Sequence, residues 1–114
     1  MLQGIPSIMV GKYGAAGCTD ADANTYITTT GITNAAIKAA ICTLVTSAKT
    51  NGWWTLCYAI YPFPDATQSH CEVNLKSPGT YNLTFSGGWT FASTGATPNG
   101  STGYADTGIV PSTV

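Results

Sequence analysis

The apolar residues Ile37, Ile41, Leu44, Val45 and Ala48 recur at the spacing of one helix face, and the pattern stops at Asn51-Gly52. From Trp53 onward the apolar residues are aromatic and β-branched, cut into short runs by proline and glycine. A chain that changes period once in this way is confined to segregated helices and strands, the α+β class. At 114 residues it has material for one domain. The expected architecture is an N-terminal helical hairpin followed by a short-stranded antiparallel β-sheet.

Residues 1–18 read as an extended lead-in, broken by Gly4, Pro6, Gly11, Gly14 and Gly17, with a short strand available at Ile8-Met9-Val10. Residues 19–52 read as the helical hairpin. Thr19 caps a first helix that carries Asp20 and Asp22 in its opening turn and ends at Thr30 before Gly31. The second helix starts after Thr33, and Cys42 falls at its margin, where a disulfide can reach it. Residues 53–114 read as the β-rich segment, with strands expected at 53–61, 71–75, 81–85, 89–92 and around 108–110. Loops are expected at 62–69 and 93–103. So few strands do not complete a sandwich: either the sheet is finished by another chain, or this chain is half of a larger fold.

Charge is scarce. Only 8% of residues are charged, against about 25% in a typical domain. There are four lysines and no arginine, and the net charge is -1. That excludes most nucleic-acid partners, which require a basic surface. Thr, Ser, Gly and Asn take the place of the charges, as in many secreted or virion β-proteins. No apolar run approaches the roughly 18 to 20 residues that cross a bilayer, so no membrane insertion is expected. The opening residues lack the basic and long apolar regions of a secretory signal, so a virion or extracellular location implies lysis or a mature product.

The cysteines are Cys18, Cys42, Cys57 and Cys71, with no C-x-x-C pair, which argues against zinc. Free buried thiols and disulfides both remain open. If the cysteines pair, the sequence-local choice is Cys18 with Cys42 and Cys57 with Cys71. Asp20, Asp22 and Asn24 open like a calcium loop, but Thr25 and Gly31 stand where that loop needs Gly and Glu. His70 has no evident nucleophile or orienting acid, and in a strand it would face away from Cys71. No cofactor, metal or catalytic residue is expected. The acids Asp20, Asp22, Asp65, Glu72 and Asp106 are scattered over separate segments, which leaves a polysaccharide hydrolase as the most distant alternative. Aromatic rings can stack on sugars, and Trp53, Trp89 and Tyr104 are the candidate ligand-binding residues; the plainer expectation for tryptophans in so short a chain is core packing. Asn82-Leu83-Thr84 and Asn99-Gly100-Ser101 match the glycosylation sequon, as an Asn/Thr-rich composition does by chance.

Three short motifs follow in fixed order: FSGGWT at residues 85–90, GATPNG at 95–100 and GYADT at 103–107. With the upstream helix and the Trp54-Thr55 and Ala59-Ile60-Tyr61-Pro62-Phe63 stretches, residues 19–114 resemble a segment of phage and prophage structural proteins. The resemblance implies a tail, fibre or appendage module with a concanavalin-like (laminin-G-type) β-sandwich. Relatives continue past the GYADT segment, whereas this chain ends at Val114. With low charge and an incomplete sheet edge favouring close association, the first reading is a non-enzymatic subunit that contacts copies of itself or other virion proteins. A lectin-like module for cell-surface glycans is the alternative.

Overall fold

The structure, a computed structural model, describes residues 18–111. The fold is mixed α+β, and the chain divides into two compact units, Met1–Thr55 and Leu56–Val114. The expected lead-in over residues 1–17, with its strand at Ile8-Met9-Val10, lies outside the described residues.

The first unit is the expected helical hairpin. Helix α1 spans Ala21–Thr30 and helix α2 spans Ala35–Thr50. Asp20, one residue later than the expected Thr19, caps α1: its Oδ1 accepts from the N–H groups of Asp22 and Ala23 at 2.9 and 3.0 Å. Gly31 ends α1 as a left-handed cap. Asn34 caps α2 by accepting from the Ile37 N–H. Ala23 and Tyr26 of α1 and Ile41, Val45 and Ala48 of α2 are buried, with Ile32 from the connection. Ile37 and Leu44, at the rim of the same stripe, are half-buried.

Two cross-links hold this hairpin. Cys18 and Cys42 form a disulfide, with Cα atoms 5.7 Å apart across a sequence separation of 24. Closing a loop of that length in the unfolded chain stabilises the fold by about 3 kcal/mol. At the far end of α2, the Lys49 ammonium reaches Asp20 at 2.8 Å and Asp22 at 2.6 Å, and lies 5.5 Å from the Trp54 ring centre. The expected pairing of Cys57 with Cys71 is not formed; both carry thiols. Cys71 is buried in a short helix with Sγ directed at the Asp65 carbonyl, 3.4 Å away.

The second unit departs most from expectation. The strand expected at 53–61 begins instead as a 3-10 turn, Trp54–Leu56, followed by irregular chain. The Trp53 N–H is consumed at the end of α2 by the Ala48 carbonyl. The strand expected at 71–75 opens as the last residue of helix α3, Gln68–Cys71, and continues as turns. That stretch supplies the core of the unit: Cys71, Val73, Asn74 and Leu75 are buried, with Leu83. The alternation Cys71-Glu72-Val73-Asn74-Leu75 has the period of a strand, but Asn74 is buried with its apolar neighbours instead of facing out, and the chain forms turns.

Asn74 holds this irregular core together. Its side chain is fully buried, its Oδ1 accepts from the Ile60 and Lys76 N–H groups at 2.9 and 3.0 Å, and its Nδ2 donates to the Thr80 carbonyl at 2.8 Å. Asn82 Oδ1 in turn accepts from the Asn74 and Gly79 N–H groups. The Leu75 N–H donates to the Ile60 carbonyl at 2.8 Å. Replacement of Asn74 by Leu, similar in volume, strands three backbone groups and is expected to cost about 3 kcal/mol. Chemical denaturation followed by tryptophan fluorescence measures it; an unchanged midpoint would remove Asn74 from this role.

Four strands complete the unit: β1 (Thr84–Ser86), β2 (Trp89–Ala92), β3 (Gly95–Pro98) and β4 (Tyr104–Asp106). They form two separate two-stranded antiparallel sheets, β1 with β4 and β2 with β3. β2 lies where the sequence predicts it. β1 starts three residues late, β3 lies inside the expected 93–103 loop, and β4 replaces the strand expected near 108–110.

Candidate functional site

The three motifs are one structural object. FSGGWT carries most of β1 and the start of β2, GATPNG carries β3, and GYADT carries β4. Thr84 pairs with Asp106 and Ser86 with Tyr104, while Trp89 pairs with Pro98 and Ala92 with Gly95. The four strands thus form one long hairpin, interrupted by Gly87-Gly88 on one side and residues 99–103 on the other.

The interruption explains the glycines. A Cβ on Gly87 would stand 2.0 Å from the Thr102 carbonyl oxygen, and Gly87 already has a φ of 79°. A Cβ on Gly88 would stand 2.7 Å from Asn99 Nδ2. Asn99 organises the opposing loop: its Oδ1 accepts from the N–H groups of Ser101, Thr102 and Gly103 at 3.0, 2.9 and 3.0 Å. Its Nδ2 donates to Thr102 Oγ1 at 2.7 Å, and its backbone N–H donates to the Gly88 carbonyl at 2.9 Å.

Aromatic rings fill one side of this hairpin. Phe85 meets Trp89 and Phe91 edge-on, with ring centres 4.9 and 5.0 Å apart, and lies 6.3 Å from Phe63. Trp89 is half-buried, and its indole N–H donates to the Ser86 carbonyl at 3.0 Å and towards the Tyr104 carbonyl at 3.3 Å. One tryptophan therefore ties β1 to β4 and spends its polar edge in doing so. Tyr104 is 62% exposed on β4. Trp53 is 37% exposed and belongs to the helical unit. The structure thus places Trp89 and Tyr104 in one hairpin, whereas Trp53 follows the end of α2 in the other unit.

A second cluster was not legible as such. His70 Nδ1 lies 3.0 and 2.8 Å from the two Asp65 carboxylate oxygens, and Asp65 Oδ1 also accepts from the Thr67 N–H. The signal was Asp65-Ala66-Thr67, an Asx turn directly before a helix that returns His70 to the acid. Cys71 lies beside them on a helix, not a strand. Burial raises its thiol pKa, and the nearby Asp65 carboxylate raises it further, so the thiolate of a nucleophile is disfavoured. Among the described residues no group of three or more His, Cys, Asp or Glu is placed to hold a metal. No helix among them is long and apolar enough to cross a membrane. A shallow open depression lies along α1, lined by Asn24, Thr25, Thr28 and Thr29. Compared with protein-family models, with curated proteins and with solved structures, the chain matches none.

Gly87→Ala is expected to destabilise the hairpin by about 3 kcal/mol, because strain in φ and a backbone clash coincide. Near-UV circular dichroism of the Trp89 cluster, followed through denaturation, reads the loss. The carboxylates predict acid sensitivity. Burial raises Asp20 and Asp65, but hydrogen bonds from Lys49 and Ala23 to the first, and from His70 and Thr67 to the second, hold both below the usual 3.8. Their stabilisation is complete above pH 3.8 and declines as pH falls through and below that value. In an acid titration Asp20→Asn should flatten the loss of helix signal, and Asp65→Asn the loss of aromatic signal. If neither variant changes its curve, other groups set the acid transition.

Proposed function

We propose that the chain is a non-enzymatic structural subunit of an extracellular particle, of the kind formed by phage tails, fibres and appendages, and that it works by β-contacts between copies. The observation that carries this reading is β4. Tyr104, Ala105 and Asp106 are all exposed, in a sheet that has one other strand. A two-stranded sheet is marginal by itself, and a strand exposed along its length is a template for strand addition. Leu56 and Tyr58 of the same unit are also exposed, at 77% and 57%. A net charge of -1 offers little repulsion between copies. The Cys18–Cys42 disulfide fits an oxidising setting. A concanavalin-like sandwich would then be assembled from the strands of neighbouring chains.

A second reading, a glycan-binding module, draws on Tyr104, which is largely exposed. Light scattering and negative-stain microscopy of the purified chain separate the two. The structural reading expects rings, trimers or filaments well above 11.8 kDa, and a shift to monomer on Ala105→Lys, which puts a charge on the edge while leaving Trp89 emission unchanged. A monomer at every concentration would overturn it and move glycan binding to first place.

A further inference from the structure

We propose that Asn99–Gly100 is a self-modification site, at which the chain loses ammonia and gains a carboxylate with water as the only co-reactant. The Gly100 nitrogen attacks Asn99 Cγ and gives its proton to water. The new N–Cγ bond closes a cyclic imide, and the Cγ–Nδ2 bond breaks to release ammonia, which takes its proton from solvent. Water then opens the imide at either carbonyl, leaving aspartate or isoaspartate at position 99. No electrons are transferred to or from the chain.

The surroundings favour the charge that builds on Oδ1, leave the nucleophile unengaged and admit water. Attack on Cγ drives negative charge onto Oδ1, which already accepts N–H groups from Ser101, Thr102 and Gly103. Donors fixed in advance around an oxygen that gains charge lower the barrier to reaching it. The departing Nδ2 lies 2.7 Å from Thr102 Oγ1. Gly100 presents no side chain, a Cβ there would meet nothing within 4 Å, and no described group accepts from its N–H. Asn99 and Gly100 are exposed, so water reaches both.

The chain contains its own comparison. At Asn51–Gly52 the Gly52 N–H donates to the Lys49 carbonyl at 3.2 Å, which engages the would-be nucleophile. Asn51 Nδ2 is held by the Ser47 carbonyl at 2.8 Å, and no described N–H reaches its Oδ1. Conversion at Asn99 would add one negative charge to a chain whose net charge is -1, and isoaspartate would carry the carboxylate out of its three-donor cradle.

The test is incubation of the intact, oxidised chain at neutral pH, with peptide mapping by mass spectrometry and isoaspartate detection at both sites. In the folded chain Asn99 is expected to convert about tenfold faster than Asn51, a barrier difference of about 1.4 kcal/mol. In the chain unfolded by denaturant the two rates should come together, since both then belong to plain Asn-Gly sequences. Asn51 keeping pace with Asn99 in the folded chain would overturn the proposal. So would a rate ratio that survives unfolding, because the preference would then belong to the sequence and not to the cradle.

Discussion

In the unit from Leu56 to Val114 most of the backbone lies outside regular ladders, and its N–H and C=O groups must still find partners. Three asparagine side chains meet much of that demand. Asn74 joins Ile60, Lys76 and Thr80; Asn82 joins Asn74 and Gly79; Asn99 gathers three successive N–H groups. An amide can both donate and accept, so it imitates a peptide group where no strand is present. With these bonds made, a segment carrying four strands of three or four residues each can still be compact. The asparagine content that reads as polar filler in the sequence is therefore the framework of the fold.

The helical half was legible because its signals are local. The Ile41-Val45-Ala48 stripe, the cap residues and Gly31 act within a turn of where they stand, and the structure follows them to within one residue. The margin position of Cys42, off that stripe, left it within reach of a disulfide; of the two sequence-local pairings, Cys18 with Cys42 is formed and Cys57 with Cys71 is not. The second half was legible only where alternation and local turns agree, at β2. The run at 71–75 misled because its alternation of apolar and polar residues has the period of a strand, whereas Asn74, read as a strand residue, is the buried centre of an irregular core. The run at 53–61 misled because aromatic content stands for strand only when another strand is available to pair. β3 was missed because Gly95-Ala96-Thr97-Pro98 carries turn residues, yet it pairs with β2 across a short connection.

The same distinction separates the site residues. Trp89 was a candidate ligand-binding residue on residue type, with core packing the plainer expectation; its ring meets Phe85 edge-on and stacks near Phe91, and its N–H is shared between β1 and β4. Tyr104, whose backbone carbonyl receives that bond, keeps its ring outside. That bond joins the half-buried Trp89 to the strand that offers the exposed surface. Asp65 and His70 were not joined because the acids read as scattered over separate segments; a single Asx turn brings these two together.

Charge scarcity gives these choices a common cause. Of five acids, Asp20 and Asp22 share Lys49, and Asp65 is taken by His70, so few charges remain to keep surfaces apart. Edge strands are commonly protected from one another by lysines or by inward charges. Here β4 carries one acid, Asp106, and that carboxylate accepts from the Gly108 N–H in a local turn. An edge with its single charge turned to its own backbone is poorly defended against a second strand. Where so much of the backbone is satisfied by side-chain amides, this open edge is where the proposed strand addition would act.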